Sequence, residues 1–375
     1  MNALDSFQIP WHTHALAGTI SRFSGFWKWL GNLETAGLKE ELSKISIEKP
    51  IYICGLARSG STILLESIAS QPKIATHQYR DFPGIFIPYW WNHGGKKQKS
   101  EESPRERAHR DGLMVTTNSP EAMEEILWMA FFADLHNPSV SQVMTKETSN
   151  PEFESFYRDH IQKMILTRKG ERFASKENYN ITRMQYLLKL FPDAKFVIPI
   201  REPLHHVASL IKQHKLFIRG EQKHPRALEH MRRVGHFEFG LDMRPINTNN
   251  SRRLEEIDSL WKKNDEARGW ARYWSELYRF VAELLESDSQ LRDSAILVPF
   301  ETLCQVPEKT LSRVMSHCDL TDDEAAQQFS QKIQAPTYYQ PEFTKDEINA
   351  IDDETRDTVD RLAPFQDQFL TFPNQ

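Results

Sequence analysis

The chain has 375 residues, 39% of them hydrophobic and 26% charged, and its 47 basic and 52 acidic side chains leave a formal charge of −5. That balance argues against non-specific nucleic-acid binding. Three scattered cysteines, Cys54, Cys304 and Cys318, exclude a disulfide framework and a zinc site and fit a reducing compartment.

The first 46 residues carry Phe23, Phe26, Trp27, Trp29 and Leu30 at roughly helical spacing. Packing of this amphipathic segment on the main domain is expected, and packing on a second subunit stays open. Membrane-surface contact is disfavoured by its sparse basic face. No basic start leads into an apolar run, so no secretory signal is read, and no stretch of about 18 apolar residues marks a membrane span. A cytoplasmic protein is expected.

"KPIYICG" (49–55) is a short apolar run ending in glycine, and "STILLESIAS" (61–70) follows with helical character. Between them lies "CGLARSGST". Gly55 and Gly60 have the spacing of a phosphate-binding loop and Thr62 closes it, but Ser61 stands where a triphosphate reader keeps its lysine. Arg58 has appeared inside the loop. Between a strand and a helix, backbone N–H groups and the helix N-terminus converge on an anion.

Further along, "HGGKKQKSEESPRERAHRDG" (93–112) reads as a charged, mobile insertion. "SPEAMEEILWMAFF" predicts a helix with Ser119 as N-cap and Pro120 at its first position. The aromatics of "FIPYWWNH" (86–93) and Trp128 suit either core packing or stacking on an acceptor.

Two more unbroken β-rich runs, "AKFVIPI" (194–200) and "SAILVPF" (294–300), have the pattern of strands buried on both faces. Helical patterns lie beside each. The fold class expected is therefore α/β, a P-loop-like parallel β-sheet flanked by helices, with helical insertions near 90–170 and 215–262. The core domain spans 47–320 and a C-terminal extension 321–375. An amphipathic helix is predicted over 270–285, its apolar residues three and four apart from Trp270 to Leu285.

Arg201 follows the second β-rich run directly, and Ser209 comes eight residues later, about two helical turns on. Both would face one anion pocket, the guanidinium as a bidentate donor and the hydroxyl as a second one. A γ-phosphate reader needs a strand-end aspartate for its metal, and the strands here end in Arg201 and Glu301. An ATP- or GTP-dependent phosphotransferase is thus the weaker reading. A nucleotide-binding protein without chemistry is another alternative.

Together these stretches resemble the sulfotransferases that use 3′-phosphoadenosine 5′-phosphosulfate. "GLARSGST" is similar to their 5′-phosphosulfate loop, which puts Arg58, Ser59, Gly60, Ser61 and Thr62 on the donor. "AKFVIPIREPLHHVAS" resembles their 3′-phosphate motif, with Arg201 and Ser209 as its anchors. "ILVPFETLCQVPEKTLSRVMSHCDL" resembles their third region, and the likeness runs over about residues 48 to 320. Ala57 replaces the usual proline and Ser61 a threonine. Gln213 replaces an arginine of the tyrosylprotein branch, leaving that phosphate contact to Lys212 or Lys215.

The resemblance also implies roles. A carboxylate shortly after the loop's helix serves as base in branches like this one, which points to Asp81 in "THQYRDFPG", with His77 as second choice. A lysine some 25 residues before the 3′-phosphate arginine meets the leaving group, and Lys176 precedes Arg201 by 25. Arg58 shares that task, and Asn178 is a candidate for orienting the acceptor. The implied reaction moves a sulfuryl group to a hydroxyl, or less often an amine, of a glycan or small molecule, with no metal.

Overall fold

The computed structural model describes residues 3–94, 104–107, 113–320, 323–334 and 341–370. Its strands are β1 (Ile51–Ile53), β2 (Ile74–Ala75), β3 (Arg105–Glu106), β4 (Met114–Val115), β5 (Arg172–Lys176), β6 (Lys195–Ile200) and β7 (Ala295–Pro299). Five of them form one sheet in the order β2-β5-β1-β6-β7, parallel throughout. This is the α/β architecture expected. The three β-rich runs became β1, β6 and β7, whereas β2 is too short for a periodicity signal.

Because side chains alternate across a strand, the sheet divides its apolar residues between two cores. Ile51, Ile53, Ala174 and Val197 face one side, where Leu64, Leu65 and Ile68 of the helix Ser61–Ala69 cover them. Tyr52, Phe173, Phe196 and Ile198 face the other, under Trp274, Leu277, Tyr278 and Val281 of the helix Glu266–Ser287. Burial of each such large side chain contributes about 1.5–3 kcal/mol. The Tyr278 hydroxyl also donates to the carbonyl of Pro199 at 3.0 Å, which fixes this helix against β6.

The N-terminal aromatic stripe sits differently from expectation. Helices Trp11–Arg22 and Ser24–Gly37 dock through Ile20, Gly31 and Glu34, while Phe23, Phe26 and Trp29 are more than half exposed. Gly31 is required there, since a Cβ would lie 2.7 Å from the Phe86 carbonyl oxygen. Lys163 then pairs with Glu34 at 3.1 Å, both side chains fully buried. At the other end, helix Lys345–Leu370 lies along Glu266–Ser287, joined by Arg272–Glu354 and by a 2.6 Å Ser275–Thr358 hydrogen bond.

The helix predicted from Ser119 begins later, at Glu125. Ser119 accepts from the Thr116 N–H at 3.0 Å, and Pro120 bridges to Gln78, so residues 119–121 run alongside residues 77–79. Much of the charged insertion, 95–103 and 108–112, lies outside the described residues.

Candidate active site

Register brings the chemistry together at the carboxyl edge of the sheet, the usual crevice of open parallel sheets. Ile53, the last residue of β1, lies level with Lys176 on β5 and Val197 on β6. The loop 54–60 therefore springs from between the strand that ends in Lys176 and the strand that leads to Arg201.

Two loop positions have non-standard backbone. Gly60 has φ +103°, and a Cβ there would meet the Phe300 ring at 2.5 Å, so only glycine fits. Arg58 has φ +73°, a left-handed conformation that a side chain adopts only under restraint. The helix Ser61–Ala69 begins at the loop's end, and its first-turn N–H groups make an anion-binding terminus.

Arg58 and Ser209 meet. The guanidinium Nε donates to the Ser209 hydroxyl at 3.4 Å, linking two motifs 151 residues apart in sequence. Arg201 lies over the Phe300 ring, 5.0 Å from its centroid, so one aromatic ring backs both the guanidinium and Gly60. Glu202 caps the helix Pro203–Lys223 that carries Ser209, accepting from the N–H groups of Leu204 and His205 at 3.0 Å. Of the two lysines weighed for the 3′-phosphate, Lys212 feels Arg58: burial first, then that neighbouring charge, lowers its ammonium below the usual range. Lys215 instead pairs with Glu266 at 2.5 Å.

Lys176 is buried at the end of β5, and its Nζ is 3.9 Å from Glu121. Asn178 donates to Glu238 at 2.8 Å. Ser59 and Ser61 are buried within the loop, and Thr62 accepts a hydrogen bond from Arg107 Nη1 at 3.1 Å.

Asp81 does not fit the part expected of it. Its carboxylate is fully buried, holds Arg168 with both oxygens at 2.5 Å, and accepts from Asn92 at 3.0 Å and the Gln78 N–H at 2.8 Å. A carboxylate so saturated ties the 77–84 turn to Arg168 and Asn92. His77 is no better placed. Its Nε2 faces that of His160 at 2.8 Å, the ring is buried against Phe173, and burial lowers it to about 4. Among the aromatics, Phe86 and Trp128 belong to the core, whereas Trp91 is partly exposed and donates to the Arg80 carbonyl.

Two residues at the site escaped the motifs, Arg107 and Glu121. Both come from the insertion between the loop's helix and β5. Glu121 was hidden by the Ser-Pro signal that assigned it to a helix. Its ordinary tendency under burial is to bind a proton, but Lys176, Arg107 and the Tyr79 hydroxyl outweigh that and hold it below the usual carboxylate range.

Comparison with known proteins gives the following. A model described as "Sulfotransferase family" matches residues 50–237. No curated protein matches the sequence. Among solved structures, the chain is similar to sulfotransferase STF1 from Mycobacterium tuberculosis H37Rv at 16% identity, over 93% of this chain and 86% of that one, with TM-score 0.46. It is similar to sulfotransferase STF9 from Mycobacterium avium at 12% identity, over 91% and 82%, with TM-score 0.48. A third is a sulfotransferase from Alicyclobacillus acidocaldarius at 13% identity, over 87% and 100%, with TM-score 0.40. Among the described residues, no helix is long and apolar enough to cross a membrane.

Proposed function

Because the chain belongs to the sulfotransferase family, we propose that it moves the sulfuryl group of 3′-phosphoadenosine 5′-phosphosulfate to a hydroxyl, or less often an amine, of a small molecule or glycan. The observation that carries the donor assignment is the meeting of Arg58 with Ser209, with Arg201 over the Phe300 ring that backs Gly60 of the same loop. A loop without its lysine, flanked by a second cationic pocket, suits a donor whose charge is divided between a 5′-phosphosulfate and a separate 3′-phosphate. In this reading Arg58, Ser59, Gly60, Ser61 and Thr62 hold the 5′ end through backbone and side-chain donors. Arg201 and Ser209 hold the 3′-phosphate, with Lys212 adding charge.

Lys176 and Arg58 then meet the negative charge that develops on the leaving phosphate oxygen. Both sit at the edge where β1 and β5 end, and no metal is needed for that task. The three thiols, all unpaired, support a reducing, cytoplasmic setting.

Calorimetry tests the donor. Binding of 3′,5′-adenosine bisphosphate without magnesium, and no binding of ATP with magnesium, is the expected pair of results; the reverse would assign a phosphotransferase. Incubation with labelled donor and a cell extract, followed by identification of the labelled product, then names the acceptor.

A further inference from the structure

The insertion between the loop's helix and β5 delivers a carboxylate to Lys176 from outside every recognisable motif. Residues 119–121 are held beside 77–79: the Glu121 N–H donates to the His77 carbonyl at 3.1 Å, Pro120 bridges to Gln78, and the Ser119 carbonyl accepts from the Tyr79 N–H at 3.2 Å. That path places the Glu121 carboxylate 3.9 Å from Lys176 Nζ, where Oε1 also accepts from the Ala122 N–H at 2.7 Å and Tyr79 supplies a further hydrogen bond. Arg107 reaches the same corner and donates to Thr62 of the phosphate loop.

The other acidic side chains nearby are unsuited to receive a proton from an acceptor. Asp81 is sealed against Arg168. Glu124 is buried and accepts from the Tyr157 hydroxyl at 2.9 Å, and Glu177 is buried and accepts from the Asn178 N–H at 3.0 Å. Glu238 is committed to Asn178. The Glu121 side chain is 17% exposed and that of Lys176 11%, so solvent reaches both members of the pair.

Resting on the sulfuryl-transfer reading above, we propose that Glu121 is the base that takes the acceptor's proton while Lys176 serves the leaving oxygen. A bond forms between the acceptor oxygen and sulfur as the bond from sulfur to the 5′-phosphate oxygen breaks. The electron pair leaves on that phosphate oxygen, beside Lys176 and Arg58. The acceptor's proton passes to the Glu121 carboxylate and from there to water. A separation of about 4 Å is also that at which paired cations serve the attacking and leaving oxygens of an in-line phosphoryl displacement.

The test uses two reactions of the full chain that differ in their need for a base. In one, water is the acceptor and release of labelled sulfate from 3′-phosphoadenosine 5′-phosphosulfate is followed. In the other, 3′,5′-adenosine bisphosphate is loaded from p-nitrophenyl sulfate, whose p-nitrophenolate departs without a proton. Glu121→Gln is expected to slow the first by about 100-fold or more, the range of general-base catalysis. Loading is slowed far less than hydrolysis, and calorimetric affinity for the bisphosphate is retained. Glu121→Asp, which keeps the carboxylate, retains more hydrolysis than Glu121→Gln.

Equal losses in both reactions would overturn the proposal by making Glu121 a support for Lys176, and so would unchanged hydrolysis. Wild-type protein that neither binds the bisphosphate nor is loaded would instead overturn the donor reading, and this one with it.

Discussion

His206 donates its Nε2–H to the carbonyl oxygen of Ala57 at 2.9 Å. Its other nitrogen accepts the indole N–H of Trp274 at 3.0 Å, so the tautomer is fixed and three segments are tied at one buried ring. Burial, more than its hydrogen bond to Ala57 can offset, lowers His206 to about 3 and keeps the ring neutral. The tied carbonyl immediately precedes Arg58, whose left-handed backbone needs such a restraint.

Replacing this ring separates loop geometry from loop composition. His206→Phe fills the same space but strands the Ala57 carbonyl and the Trp274 indole, at about 1–3 kcal/mol for each buried group. Urea denaturation is expected to show that loss. Calorimetry is expected to show weaker binding of 3′,5′-adenosine bisphosphate although no side chain assigned to the donor has changed. Unaltered affinity in the folded variant would mean that Arg58 is held by the rest of the loop.

Binding and chemistry divide between different cations. Arg201→Ala removes a charge-assisted pair worth about 1.5–3 kcal/mol, so affinity for the bisphosphate should fall by about 10- to 100-fold. Lys176→Ala should leave that affinity in place and lower turnover by about 100- to 1,000-fold, the effect of deleting one preorganised donor at developing charge. Equal turnover in Lys176→Ala and wild type would remove the leaving-group role.

What the sequence made legible was whatever rests on local pattern. The apolar runs of β1, β6 and β7, the Gly55 to Thr62 loop and the helix around Trp270 all have periodicity or spacing of their own. The Arg58 to Ser209 contact follows from two such motifs on neighbouring strands. Glu121 was illegible for a physical reason: Ser119-Pro120 is a sound helix-start signal, overridden by pairing with residues 77–78 that are remote in sequence. Asp81 is the opposite case. Its place in the chain matched a catalytic position, but nothing local revealed that Arg168, 87 residues on, would occupy it.

The Asp81–Arg168 pair yields a direct discrimination. If Asp81 anchors the turn, Asp81→Asn leaves a buried guanidinium without its counter-charge, and stability should drop by about 3–5 kcal/mol. Sulfuryl transfer measured at a temperature where the variant remains folded should persist. A catalytic base would show the reverse, with normal melting and abolished turnover.

Glu124 provides a pH test of the interior. Burial raises its carboxyl to about 7 despite hydrogen bonds from Ser175 and Tyr157, the latter at 2.9 Å. In the unfolded chain the group ionises near 4.5, its ordinary value. Between those two values the folded protein holds a proton that the unfolded chain has released, so the contribution is fully favourable below about pH 4.5 and is lost as pH rises through about 7. The cost above that range is about 3 kcal/mol, from about 1.4 kcal/mol for each pKa unit. Glu124→Gln keeps an acceptor for Tyr157 and cannot ionise. Relative to wild type it is expected to gain stability steadily from pH 5 to pH 8 in urea titrations, reaching about that figure. A constant offset across the range would place the ionisation of Glu124 outside it, and a relative loss at pH 8 would require a buried carboxylate that Arg183 already neutralises.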